Sequence, residues 1–170
     1  MKFSFCRTIA RLFLPILLVA ISLVTIAISY PDAVLADDFS KAILPIDADF
    51  TGKDLTTYEF TQATVRNGKF INANMTGVSL IGGNFESADM TGANLTNSLL
   101  DTARLTRVNL TNAILVGAST SVTNFDGAII DGADFTDVLL RKDVQMKLCK
   151  VAKGTNPTTG RNTRESLECA

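Results

Sequence analysis

The chain has 170 residues, 46% hydrophobic and 19% charged, with 16 basic side chains, 17 acidic ones and no histidine. The near-even charge does not suggest nucleic-acid binding, which would need a basic stripe. The lack of histidine excludes His-based nucleophilic triads, most zinc sites and histidine acid–base catalysis.

Residues 1–36 carry much of the apolar character. Lys2, Arg7 and Arg11 precede the run "LFLPILLVAISLVTIAISY" (12–30), and "PDAVLA" follows with Val34 and Ala36 at the −3 and −1 positions. This order of basic start, apolar middle and small-residue exit predicts a secretory signal cleaved after Ala36. The separated arginines fit the general secretory route, and Cys6 precedes the apolar run, against a lipoprotein site. An uncleaved anchor is the alternative, because 19 mostly apolar residues approach a bilayer span. Contact with a membrane is expected only through this segment, before cleavage. Its removal leaves 13 basic and 16 acidic residues, a net −3.

Residues 37–47, "DDFSKAILPID", offer Phe39, Ile43, Leu44 and Ile46 as an N-terminal lid. From Phe50 a strict period of five begins. Every fifth residue to Leu140 is large and apolar in 18 of 19 cases, the exception being Thr120 in "GASTSVTNF" (117–125). Two residues before each lies a small one from Ala48 onward, with Lys53 and Tyr58 as early exceptions. The residue between is often Asp or Asn, and the two after are rich in Thr, Gly, Asn and Asp.

A period of five is neither helical nor that of a long strand. Small–polar–large makes a minimal strand with two residues inward and one outward. Two turn formers follow, of which Gly or Asn can take positive φ. Equal bends in one sense wind a coil, and stacked coils make an all-β solenoid. The break at Thr120 keeps the register, so a tolerated polar residue bonding a nearby carbonyl is expected. On that reading Thr120→Val is neutral or mildly stabilising.

"ANMTG" (73–77), "ADMTG" (88–92), "ANLTN" (93–97) and "AILVG" (113–117) resemble the units of pentapeptide repeat proteins. The resemblance covers about residues 46–142. It implies a right-handed four-sided parallel β-helix of 20 residues per coil, spanning 48–142, and no defined enzymatic activity. After Leu140 the pattern stops. "RKDVQMKLCKVAKG" (141–154) places Val144, Met146, Leu148, Cys149 and Val151 on a helical pattern ending at Gly154, and Asn162 or Thr163 could cap a second short helix. Residues 143–170 are thus expected to form a small α-helical C-terminal cap. Cys149 and Cys169, an even pair in an exported chain, predict a disulfide pinning the two helices. This tail is similar to the caps of exported pentapeptide proteins of cyanobacteria and the plastid thylakoid lumen. The short bacterial-style signal favours a cyanobacterial source and a lumenal or periplasmic location.

No catalytic, cofactor or metal site is expected. Asp126, Asp131, Asp134 and Asp137 fall on different sides of a coil and read as solvated surface rather than a calcium site. Ile81, Leu99 and Leu139 would share one face at four sides per coil, a possible interaction face. The resulting expectation is a non-catalytic structural or protein-interaction scaffold with an unidentified protein partner, no nucleic acid, and a monomeric or weakly dimeric state. A DNA-mimicking topoisomerase inhibitor and a small-ligand or calcium-binding lumenal protein are the alternatives.

Overall fold

The computed structural model describes residues 38–169, which belong to a compact unit, Ala36–Ala170. The expectations placed on residues 1–36, including cleavage after Ala36, lie outside the described residues. Among the described residues, no helix is long and apolar enough to cross a membrane.

Three-residue rungs joined by two-residue corners run through the repeat. From Asp49 onward every parallel bridge joins residues 20 apart, as in Asp54↔Asn74, Asn74↔Asn94 and Asn94↔Ile114. Four five-residue units therefore complete one coil, and each unit stacks on its equivalent one coil later. One bonding rule recurs along the tower. The amide of a large residue donates to the middle residue of the next coil (Phe70 to Asp89 O, 2.7 Å), and that residue's amide donates back to the small residue below (Asp89 to Gly68 O, 2.8 Å).

The corners follow from the residues around them. The large residue's carbonyl accepts from the small residue three positions on, as Phe60 O does from Ala63 N at 3.0 Å. The second corner residue has positive φ at every corner from Gly52 to Asp137 except at Thr57. Glycine and asparagine take this region readily, but Val122, which is β-branched, is also forced there at φ 59°. The middle Asp or Asn frequently starts the corner by accepting from the amide two residues on. Asn94 Oδ1 does so from Thr96 N at 3.1 Å, and also holds the Thr96 hydroxyl at 2.6 Å.

The large column from Leu55 to Phe135 is buried, with the small column beside it. Each such side chain contributes a gross ~1.5–3 kcal/mol. Aromatics gather at the N-terminal end: Phe50 stacks on Phe70 at 5.0 Å, and Phe39 lies 5.3 Å from Phe60 and 5.9 Å from Tyr58. Residues 38–44 already pair with the coil above, through Asp38↔Glu59 and Ile43↔Thr64 at a separation of 21. One extra residue is absorbed at the corner before Asp49, where Asp47 has φ 65°. Phe39 and Leu44 pack on the core as expected. Ile43 and Ile46 do not: they are 83% and 73% exposed, because Ile43 occupies the outward middle position and Ile46 the corner.

Helix α1 spans Lys142–Cys149, and α2 spans Thr163–Ser166. Leu148, Ala152 and Leu167 are buried against the last coil, with Val144, Cys149 and Cys169 partly so. Met146 and Val151, assigned above to the same apolar pattern, are exposed. Asn162 caps α2, accepting from Arg164 N at 3.0 Å. The sulfurs of Cys149 and Cys169 lie 2.00 Å apart.

Candidate functional site

The ladder rule makes the last coil informative, because each large residue needs an acceptor one coil further on. Gly132 N finds Lys153 O at 2.8 Å, and Phe135 N finds Ser166 Oγ at 3.0 Å. The tail has thus replaced the next coil on that part of the tower. On the side of residues 122–128 it has not. The amides of Val122, Phe125 and Gly127 have no acceptor among the described residues, and the Thr123 carbonyl has no donor.

This open rung forms one wall of a groove of about 350 Å³, and α1 forms the other through Asp143, Val144, Lys147 and Leu148, with Arg141 just before it and Val151 just after. Phe125 and Leu148 give it an apolar floor. Its rim is charged, with Lys147 Nζ 3.0 Å from Asp126 and Arg141 3.0 Å from Asp143. The groove holds no nucleophile–base pair. Its chemistry is that of strand-edge donors beside apolar surface.

The residues singled out from the sequence lie elsewhere or at its margin. Leu99 sits between Ser79 and Ser119 on its ladder, and Ile81 lies at the following corner, so serines interrupt the expected apolar stripe. Leu139 is 89% exposed, and its carbonyl accepts from the Thr120 hydroxyl at 3.0 Å. Thr120 is itself buried, and Thr123 donates to Leu100 O at 2.7 Å. The irregular stretch 117–125 therefore leads directly into the groove wall.

The four aspartates are kept apart. Asp126 faces Lys147, Asp131 faces Lys153 at 3.2 Å, and Asp137 is a corner residue. Asp134 is only 1% exposed. Burial alone would raise its pKa, but hydrogen bonds from Thr136 and Thr159, with the charge of Arg161, outweigh that and hold it below the ordinary carboxylate value. Asp101 is lowered too, chiefly by the Ser119 hydroxyl. Among the described residues no group of three or more His, Cys, Asp or Glu side chains could hold a metal ion.

Residues 59–97 and 103–141 match the family model described as pentapeptide repeats, in 8 copies. A solved pentapeptide repeat protein from the Arabidopsis thaliana thylakoid lumen is 40% identical, with a TM-score of 0.71 over 83% of this chain and 94% of that one. The chain belongs to the pentapeptide repeat family. Its structural neighbours fold as right-handed quadrilateral β-helices. One of them is HetL of Nostoc sp. strain PCC 7120, a pentapeptide repeat protein involved in heterocyst differentiation regulation. It matches at 19% identity and a TM-score of 0.53 over 63% of this chain and 59% of that one, a likeness of fold alone. The curated Arabidopsis thaliana protein "Thylakoid lumenal 15 kDa protein 1, chloroplastic" is 62% identical over 37 residues, 22% of this chain and 16% of that protein. The chain thus spans about a sixth of that relative's length.

Proposed function

We propose that this pentapeptide repeat chain is a non-catalytic protein-binding scaffold of the thylakoid lumen. The observation that carries the reading is the contrast between a side-chain-filled interior and an open groove at the last coil. A filled interior leaves no room for a ligand tunnel, and the groove offers backbone donors and apolar surface rather than reactive groups. Two lumenal relatives support the compartment. The same reading includes a right-handed four-sided winding, a helical cap over the last coil, export with cleavage after Ala36, and a periplasmic location as the alternative compartment. It does not favour calcium binding, because Asp126, Asp131 and Asp134 each have their own partner and the described residues hold no cluster of three or more acidic groups that could hold a metal ion. Nor does it favour a DNA mimic, which calls for a strongly acidic surface rather than a net −3.

The test is in vivo photo-crosslinking from two positions, exposed Val151 at the groove rim and Leu99 on a flat side. A discrete protein adduct from either supports a scaffold. A complete lack of adducts from both, with the mature protein found outside the lumen and periplasm by fractionation, overturns it.

A further inference from the structure

The open rung is specified more closely than an apolar patch would be, because every completed rung below it shows what the missing one must supply. Asn124 sits on residues 103–105 by donating to Ala103 O at 3.0 Å and accepting from Leu105 N at 2.8 Å. Two residues on, Asp126 O accepts from Arg107 N at 2.9 Å. The last coil presents the same set again, unfilled: Thr123 O, Phe125 N and Gly127 N. A strand edge with free donors and acceptors is a template for another strand, and adding a peptide to such an edge is an established recognition mode.

Charge narrows the occupant. The mature chain is mildly acidic, yet the segment 141–153, part of which supplies the opposite wall, holds Arg141, Lys142, Lys147, Lys150 and Lys153 against Asp143 alone. Arg141, Asp143 and Lys147 line the groove itself, and Lys142 and Lys150 are their neighbours in the chain, outside the lining. Arg141, Lys147 and Lys153 have carboxylate partners, while Lys142 and Lys150 have no ion pair among the described residues.

We propose that the groove captures an extended acidic peptide of a partner protein, laid as a parallel rung on residues 123–127. The proposal rests on the protein-binding reading above. Three peptide residues, about 10 Å at ~3.3 Å each, cover the rung. The first donates its amide to Thr123 O and offers its carbonyl to Phe125 N. The second places an apolar side chain against Phe125, Val144 and Leu148. The third gives its carbonyl to Gly127 N. Flanking acidic residues meet Lys142 and Lys150. The interaction is non-covalent, with backbone bonds giving affinity and the apolar and acidic side chains giving selectivity.

The probe is a fluorescein-labelled peptide of sequence Asp-Glu-Ser-Leu-Glu-Asp, titrated into the mature protein with amide exchange read by NMR. The expected result is saturable binding, with exchange at Phe125 and Gly127 slowed about tenfold or more. Methylating the serine amide, or combining Lys142→Glu with Lys150→Glu, should weaken binding about fivefold or more with the melting temperature unchanged. Unchanged exchange at Phe125 and Gly127 under saturating peptide overturns the proposal. So does no binding at about 1 mM peptide. Protection that rises with protein concentration alone overturns it as well, by assigning the rung to a second copy of the chain. Adducts found only from Leu99 would leave the scaffold reading standing and sink this one.

Discussion

Replacing Asn156 by alanine tests whether one side chain locks the tail onto the tower. Asn156 is 0% exposed. Its Nδ2 donates to Asn112 O at 3.0 Å, Ala113 O at 3.2 Å and Gly132 O at 2.9 Å, and its Oδ1 accepts from the amides of Thr158 and Thr159 at 2.9 and 3.0 Å. After truncation Ala113 O keeps the Asp134 amide at 3.0 Å. Thr158 and Thr159 are exposed, so water replaces their partner. The Asn112 and Gly132 carbonyls lose theirs, at about 1–3 kcal/mol for each buried unsatisfied group. Partial hydration brings the expected cost to about 2–4 kcal/mol. In a stacked tower stability is a sum over neighbours, so the loss appears first as local opening of the tail. The assay is native-state exchange of Gly132, whose amide donates to Lys153 O. Its opening should become about 30- to 1,000-fold more frequent, at 1.4 kcal/mol per tenfold. Asn156→Asp should be worse, since it turns a carboxylate toward three carbonyls. A change under about threefold would mean that Leu148, Leu167 and the disulfide hold the tail without Asn156.

Three further outcomes follow from the same geometry. Val122→Gly removes a β-branched residue from positive φ; relief of about 1–2 kcal/mol exceeds the ~0.5–1 kcal/mol entropic cost of glycine, so chemical denaturation should show a small gain in stability. Thr120→Val deletes the bond to Leu139 O and should cost about 0.5–1.5 kcal/mol by the same measurement, the opposite sign to the neutral or mildly stabilising outcome expected from the sequence. Because Asp134 has a folded pKa below its unfolded value, its stabilisation is present above the unfolded carboxylate pKa and is lost as pH falls through the folded one. The melting temperature should therefore stay level from neutrality to about pH 5 and fall below about pH 4, with a shallower fall in Asp134→Asn.

The repeating core was legible because a period of five admits few structures, and both the inward columns and the corner residues are written in residue size and polarity. The shifted first coil was not read, although the six-residue step from Leu44 to Phe50 carries its signal; a lid reading treated Ile43 and Ile46 as inward by hydrophobicity alone. The groove was not read, because it depends on which amides remain unpaired once the tail has settled. A signal existed: a rung above Phe125 would need residues 143–145 to continue the pattern, and there the sequence turns helical. Asn156 gave no such warning. Within "TNPTTGRN" it looks like any turn residue, bonding Thr158 and Thr159 two and three positions on, and its other three bonds exist only because a distant segment, 112–132, comes to meet it.

The constant step of 20 between bridged residues makes this architecture modular in length. Excising residues 74–93 would join Ala73 to Asn94 and leave each remaining rung facing a residue of its own column, giving a shorter tower with both ends intact. Removing ten residues would instead rotate every later side by half a turn and carry the tail's anchoring contacts to the wrong wall. The corner before Asp49 marks the other permitted change, a single extra residue swallowed where the chain already bends.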